Sequence, residues 1–115
     1  MKPSNTQLRL TGLLLCGMFA AGFASAAEVN TEAAEALAKK SGCLKCHSVD
    51  KKKDGPAFKE TAGKLKGKPD AEQKLFTHLT TQPTIKVDGK EEKHESPKTK
   101  DEAEIRNLIG WILSR

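Results

Sequence analysis

Near the end of the chain, apolar residues recur at i, i+3, i+4, i+7 and i+8: Ile105, Leu108, Ile109, Ile112 and Leu113. This is the stripe of an amphipathic helix with one face turned to a core. Thr99 with Glu102, or Asp101 with Glu104, can cap its start. Gly110 inside it costs about 1 kcal/mol relative to alanine, which points to a close approach by another backbone or by a cofactor. Trp111 beside it is a large packing residue. Upstream the stripes are narrower. Asn30 or Thr31 can cap a first helix with acidic Glu32 and Glu35 near its start, Lys39 and Lys40 at its end and Gly42 as its stop. Its apolar stripe reads as Ala33, Ala36 and Leu37, running to Lys40. Gly55-Pro56 opens a short helix with Phe58, Ala62 and Leu65 at helical spacing, and Gly67 and Pro69 end it. Asp70 with Gln73 forms a capping pair for a further helix from Ala71 to about Thr80, carrying Leu75, Phe76 and Leu79. Between Thr81 and Lys98 the pattern is long and polar, with a tight turn predicted at Val87-Asp88-Gly89-Lys90. A polar stretch of this length in a small domain is usually functional or disordered. The pattern predicts an all-α domain, with neither a βαβ alternation nor an internal repeat.

The N-terminus predicts export. Lys2 and Arg9 precede an apolar run from Leu10 to Phe23, and Ala24-Ser25-Ala26 supplies small residues for cleavage after Ala26. The run is shorter than the roughly 20 residues a spanning helix needs. Bulky Leu15 before Cys16 argues against a lipid anchor on that cysteine. The expected division is a signal peptide over 1–26 and one mature domain over 27–115, with no stable membrane insertion after cleavage. A mature chain of roughly 90 residues is near the size at which a core needs a cofactor or cross-link to hold it. The full chain carries a formal net charge of +5, mixed in sign along its length, which does not support a nucleic-acid partner.

The chemistry is concentrated in Cys43-Leu44-Lys45-Cys46-His47. The spacing C-x-x-C-H is the attachment signature of c-type haem: two thiols anchor the porphyrin and the adjacent imidazole ligates the iron. A zinc site would need Cys43, Cys46 and two histidines in tetrahedral array. A thioredoxin-like dithiol would need the missing βαβ context. Lys45, Lys51, Lys52 and Lys53 lie near the motif in sequence. They are either a solvated surface or a docking face for an acidic redox partner.

Taken together, these residues resemble a class I cytochrome c of the small bacterial monohaem type, across essentially the whole mature chain. The motif lies near the start of the domain, unlike the four-helix class II type. The resemblance implies three to five helices wrapped around one covalently bound haem c. It implies that the Pro56 carbonyl accepts a hydrogen bond from the His47 ring, and that Trp111 lies near the end of a closing helix that crosses the first, so Trp111 is expected beside the haem. It also exposes a departure. The family's distal methionine precedes the final helix, but the only methionines here are Met1 and Met18. His94, in Lys93-His94-Glu95-Ser96-Pro97, lies about where that methionine belongs. The expected metal ligands are therefore His47 and His94, with His78 as a competitor expected to be exposed and a lysine, which must shed its proton to ligate, as a further alternative. A bis-histidine haem implies a lower potential than a His/Met one. The expected function is a periplasmic one-electron carrier rather than an enzyme, with redox proteins as partners. The alternatives are a gated haem protein that binds or senses a small ligand, and the electron-accepting subunit of a periplasmic oxidoreductase.

Overall fold

The computed structural model describes residues 27–115, so the predicted signal peptide over 1–26 lies outside the described residues. Five helices and one hairpin follow in order: α1 (Thr31–Lys40), α2 (Cys43–Cys46), α3 (Phe58–Leu65), α4 (Ala71–Thr81), β1 (Thr84–Val87), β2 (Lys90–Lys93) and α5 (Glu102–Leu113). Helix α5 packs against α1, α3 and α4 and is the centre of the fold. Its Leu108 and Ile109 are fully buried, and Ile105, Trp111 and Ile112 join them. Asp101 caps it, its carboxylate accepting from Ala103 N–H at 2.8 Å, while Glu104 is taken up by the Thr99 hydroxyl.

Helix α1 begins where Asn30 accepts from Ala33 N–H at 2.9 Å. Its buried face is Ala34, Leu37 and Ala38, continuing into buried Ser41, not the stripe through Ala33 and Ala36. Alanines at four positions leave the register ambiguous, and the i, i+3, i+4, i+7 set through Leu37 wins because it reaches Ser41. Two reciprocal hydrogen bonds clamp α1 to α5. Asn30 N–H donates to Asn107 Oδ1 at 2.8 Å, and Asn107 Nδ2 donates to Asn30 C=O at 2.9 Å. The close neighbour at Gly110 is neither a backbone nor the cavity but a side chain, Val29, whose Cγ2 would stand 2.9 Å from a Cβ there.

The capping pair predicted for α4 does not form. Asp70 has φ −99° and ψ 8° and makes no side-chain cap. A capping residue needs extended backbone to aim its oxygen at the first turn, and here the carboxylate pairs with Lys74 at 3.0 Å instead. Arg106 joins α4 to α5 by bonding Glu72 at 2.6 Å and lying 4.7 Å from the Phe76 ring centroid.

The polar stretch before α5 is ordered as an antiparallel hairpin, with Thr84 opposite Lys93 and Val87 opposite Lys90. Asp88 and Gly89 both have positive φ, 50° and 79°, as a tight primed turn requires. Only β1 has an inward face, through half-buried Ile85 and Val87, whereas β2 is exposed throughout.

Candidate haem site

The loop between α1 and α3 builds the first wall of a cavity. Gly42, at φ 74°, turns the chain out of α1 directly into the single helical turn Cys43–Cys46. Spacing i, i+3 on one turn brings both thiols to the same side, and Cys43, Cys46 and His47 all line one cavity of about 550 Å³. Burial pushes the Cys43 thiol pKa up. Gly55 N–H then donates to Cys46 C=O at 2.8 Å, folding the lysine-rich loop back beneath the motif.

His47 is held on three sides. Its Nδ1 lies 2.8 Å from the Pro56 carbonyl. A carbonyl only accepts, so Nδ1 carries the proton and Nε2 keeps its lone pair for a metal. Phe58 stacks on the ring at 5.3 Å and 21°. Gly55 lies against its edge, where a Cβ would come within 2.4 Å of Cε1. Trp111 does not line the cavity. It is buried and meets Phe58 edge-on at 5.5 Å, so it supports His47 through Phe58. Its Nε1 is enclosed without a hydrogen-bond partner among the described residues.

His94 comes from the opposite wall. It follows β2 in extended chain, and its N–H donates to Pro83 C=O at 2.9 Å, closing the base of the hairpin. Downstream, Pro97 is buried and Lys98 N–H donates to Ser41 Oγ at 2.8 Å. The His94 ring is half-buried and faces His47 with centroids 6.1 Å apart and planes at 51°. His78, on α4, stays largely solvent-exposed yet lines the same cavity and meets His94 edge-on at 4.4 Å. Burial pushes both imidazole pKa values down, with His78 adding to the shift at His94 and His47 to that at His78. The Glu95 backbone lies near enough to His94 to favour its charged form, without meeting hydrogen-bond geometry at Nδ1. The contact between His78 and His94 has no signal in the sequence, because it depends on how α4 and the hairpin meet.

The residues present fit a covalently held haem. The cavity volume lies within the range of roughly 300–1,000 Å³ usual for such sites, and its apolar walls include Leu75, Leu79, Ile85, Leu108 and Ile112. Two thiols and three imidazoles line it, and the backbone beside His47 leaves no room for a Cβ. Cys43 and Cys46 could anchor the porphyrin, and His47 and His94 could ligate its iron.

The basic stretch divides in two. Lys53 is committed, its ammonium donating to the Leu44 carbonyl at 2.8 Å inside the attachment motif. Lys45, Lys51 and Lys52 are exposed and make no ion pair among the described residues.

Comparison with known proteins points to one family. Residues 31–115 match the family model described as Cytochrome c. Cytochrome c-551 of Stutzerimonas stutzeri is 41% identical over 80 residues, covering 70% of this chain and 74% of that protein. Cytochrome c-552 of Hydrogenobacter thermophilus is 36% identical, covering 73% of this chain and 83% of its own. Among solved structures, the class 1 cytochrome MtoD of Sideroxydans lithotrophicus ES-1 superposes with a TM-score of 0.72 at 46% identity. The match covers 76% of this chain and 97% of that one.

Proposed function

This chain belongs to the cytochrome c family, and from that premise we propose that it is a periplasmic one-electron carrier of low potential whose haem iron is ligated by His47 and His94. Membership establishes a small electron-transfer protein of class I fold with one covalently bound haem c. The ligand set, the potential and the compartment are the further reading.

The observation that carries it is the 6.1 Å separation of the His47 and His94 rings. Two imidazoles on opposite sides of one metal ion have centroids roughly 6.3 Å apart, given metal–nitrogen bonds of about 2.0–2.1 Å. The chain thus supports two imidazoles at the separation of an axial pair. Bound haem supplies a reversible one-electron couple at its iron. The residues keep the geometry constant. Pro56 and Phe58 fix the His47 ring, the hairpin base fixes the His94 backbone, and the apolar walls exclude water. Two imidazoles leave the iron no open position for a substrate, which favours transfer over catalysis. Imidazole stabilises the ferric state more than methionine does, hence the low potential.

Cleavage after Ala26 and release to the periplasm rest on the basic, apolar and small-residue order of 1–26. Among the described residues, no helix is long and apolar enough to cross a membrane. Redox partners with acidic surfaces would dock near Lys45, Lys51 and Lys52, with Lys53 contributing a fixed charge. The deciding experiment is near-infrared magnetic circular dichroism of the ferric holoprotein with a potentiometric titration. A bis-imidazole charge-transfer band with a one-electron wave is expected, and a high-spin or thioether-type band would refute the ligand assignment. N-terminal sequencing of the mature protein tests the cleavage site.

A further inference from the structure

Ser41 is the one polar residue buried among the described residues, 3% exposed. A hydroxyl at a helix end ordinarily faces water, because burying it costs free energy unless it is hydrogen-bonded. This one accepts from Lys98 N–H at 2.8 Å, a contact between two segments far apart in the chain. Its position gives the bond its meaning. Ser41 ends α1, with its own N–H on the Leu37 carbonyl. Gly42 then turns the chain straight into Cys43 and the attachment motif. Lys98 stands at the far end of the strap His94-Glu95-Ser96-Pro97, in which Pro97 is buried.

The strap is pinned at both ends, and the two pins differ. His94 N–H donates to Pro83 C=O at 2.9 Å, which only closes the strap's own hairpin. The Lys98–Ser41 bond is the one hydrogen bond, among the described residues, between residues 94–98 and the side of the cavity that carries the motif. It therefore joins the segment bearing His94 to the segment bearing Cys43, Cys46 and His47. A ligand on a loop leaves its metal when the loop opens, and loops open locally at a free energy far below that of global unfolding. Groups that hold a ligand's support from behind tune its metal bond without touching the metal.

We propose that Ser41 is a positioning residue for the distal ligand: its hydroxyl ties the His94 strap to the attachment motif and sets how readily His94 leaves the iron. The inference rests on ligation by His47 and His94. Without the hydroxyl, the Lys98 N–H loses its acceptor and the downstream end of the strap comes free. His47 stays in place, because Pro56, Phe58 and Gly55 hold it from a different loop.

Heating the ferric holoprotein while following the low-spin haem absorption together with the far-ultraviolet helix signal tests this. Below the helix transition, Ser41→Ala should raise the equilibrium constant for His94 release about ten-fold, the cost of leaving an enclosed N–H without its acceptor. Ser41→Thr keeps the hydroxyl and should recover part of the loss. Asn107→Ala removes two hydrogen bonds away from the strap. It should lower the helix transition and leave the release constant near that of wild type. Lys98→Pro deletes the donor N–H at an exposed position and should act like Ser41→Ala, whereas Lys98→Ala keeps the N–H and should behave as wild type. The proposal is overturned if Ser41→Ala shifts the haem and helix signals in step, as a merely structural bond would, or if the two Lys98 variants release His94 equally. If Ser41→Ala does not accumulate, the Lys98 pair decides. Failure of the underlying ligand assignment reads out separately, as a wild-type ferric spectrum without the bis-imidazole signature before any heating.

Discussion

A Cβ added to Gly55 would stand 2.4 Å from Cε1 of His47 and 2.7 Å from its Nδ1. No real contact is that short, and both groups are fixed, the glycine by its bond to Cys46 and the ring by Pro56. Gly55→Ala should therefore turn the His47 ring out of place. The expected outcome is a mixed-spin ferric spectrum and a lower holoprotein yield. Electron paramagnetic resonance checks it, and a wild-type spectrum in the variant would show that the ring is not wedged there.

The thiols of Cys43 and Cys46 should make the haem inseparable from the chain. Wild-type protein keeps its colour through acid-acetone extraction, Cys43→Ser or Cys46→Ser keeps it through one bond, and the double variant releases it. Colour in the acetone phase from wild-type protein would sink the covalent assignment.

His94→Ala should convert low-spin ferric iron to high-spin or water-ligated iron, while His78→Ala leaves the resting spectrum low-spin. His94→Met, where sulfur reaches the iron, should raise the midpoint potential by on the order of 0.1 V, as axial ligands tune potential widely. If His78→Ala alone changes the spin state, helix α4 carries the ligand.

Reversing the charge of Lys45, Lys51 and Lys52 should slow electron exchange with an acidic partner at low ionic strength. The effect should fade above about 0.1 M salt as screening sets in. Lys53→Gln differs in kind, because it also frees the Leu44 carbonyl. It should lower thermal stability as well as the rate. Equal rates for all variants at low salt would return this stretch to plain surface.

Asn107→Ala removes both bonds of the clamp between the start of α1 and the middle of α5. Two neutral hydrogen bonds at a partly exposed site are together worth about 1–2 kcal/mol. In a domain this small that corresponds to a Tm lowered by roughly 5–10 °C. Calorimetry of the holoprotein measures it, and an unchanged Tm would mark the pair as incidental.

How much of this the sequence could show varied with the residues. Helix α5 was legible because its bulky residues occupy one face only and Asp101 is a strong cap. Helix α1 was legible as a helix but not in register, since alanine is apolar on every face and Leu37 alone marks the inside. The Asp88-Gly89 turn was visible, but the hairpin around it was not. Only Ile85 and Val87 turn inward, and the charged β2 gives no alternation to read. The motif located Cys43, Cys46 and His47. Trp111 was expected beside the haem, whereas it backs Phe58 and leaves the cavity wall to others. The Lys53–Leu44 tie and the His78–His94 contact arise from tertiary packing, for which local sequence carries no pattern.

The outer strand of the hairpin has a consequence beyond the cavity it helps to close. Lys90, Glu91, Glu92 and Lys93 are all exposed, and among the described residues the strand pairs only with β1. An open strand edge is a template for pairing with another chain, and charged side chains along a very short edge oppose this. An electron-transfer protein must meet its redox partners without sticking to copies of itself. The four charged residues of β2 suit that task. Replacing them with β-branched apolar residues would leave an open apolar edge and make the chain prone to self-association.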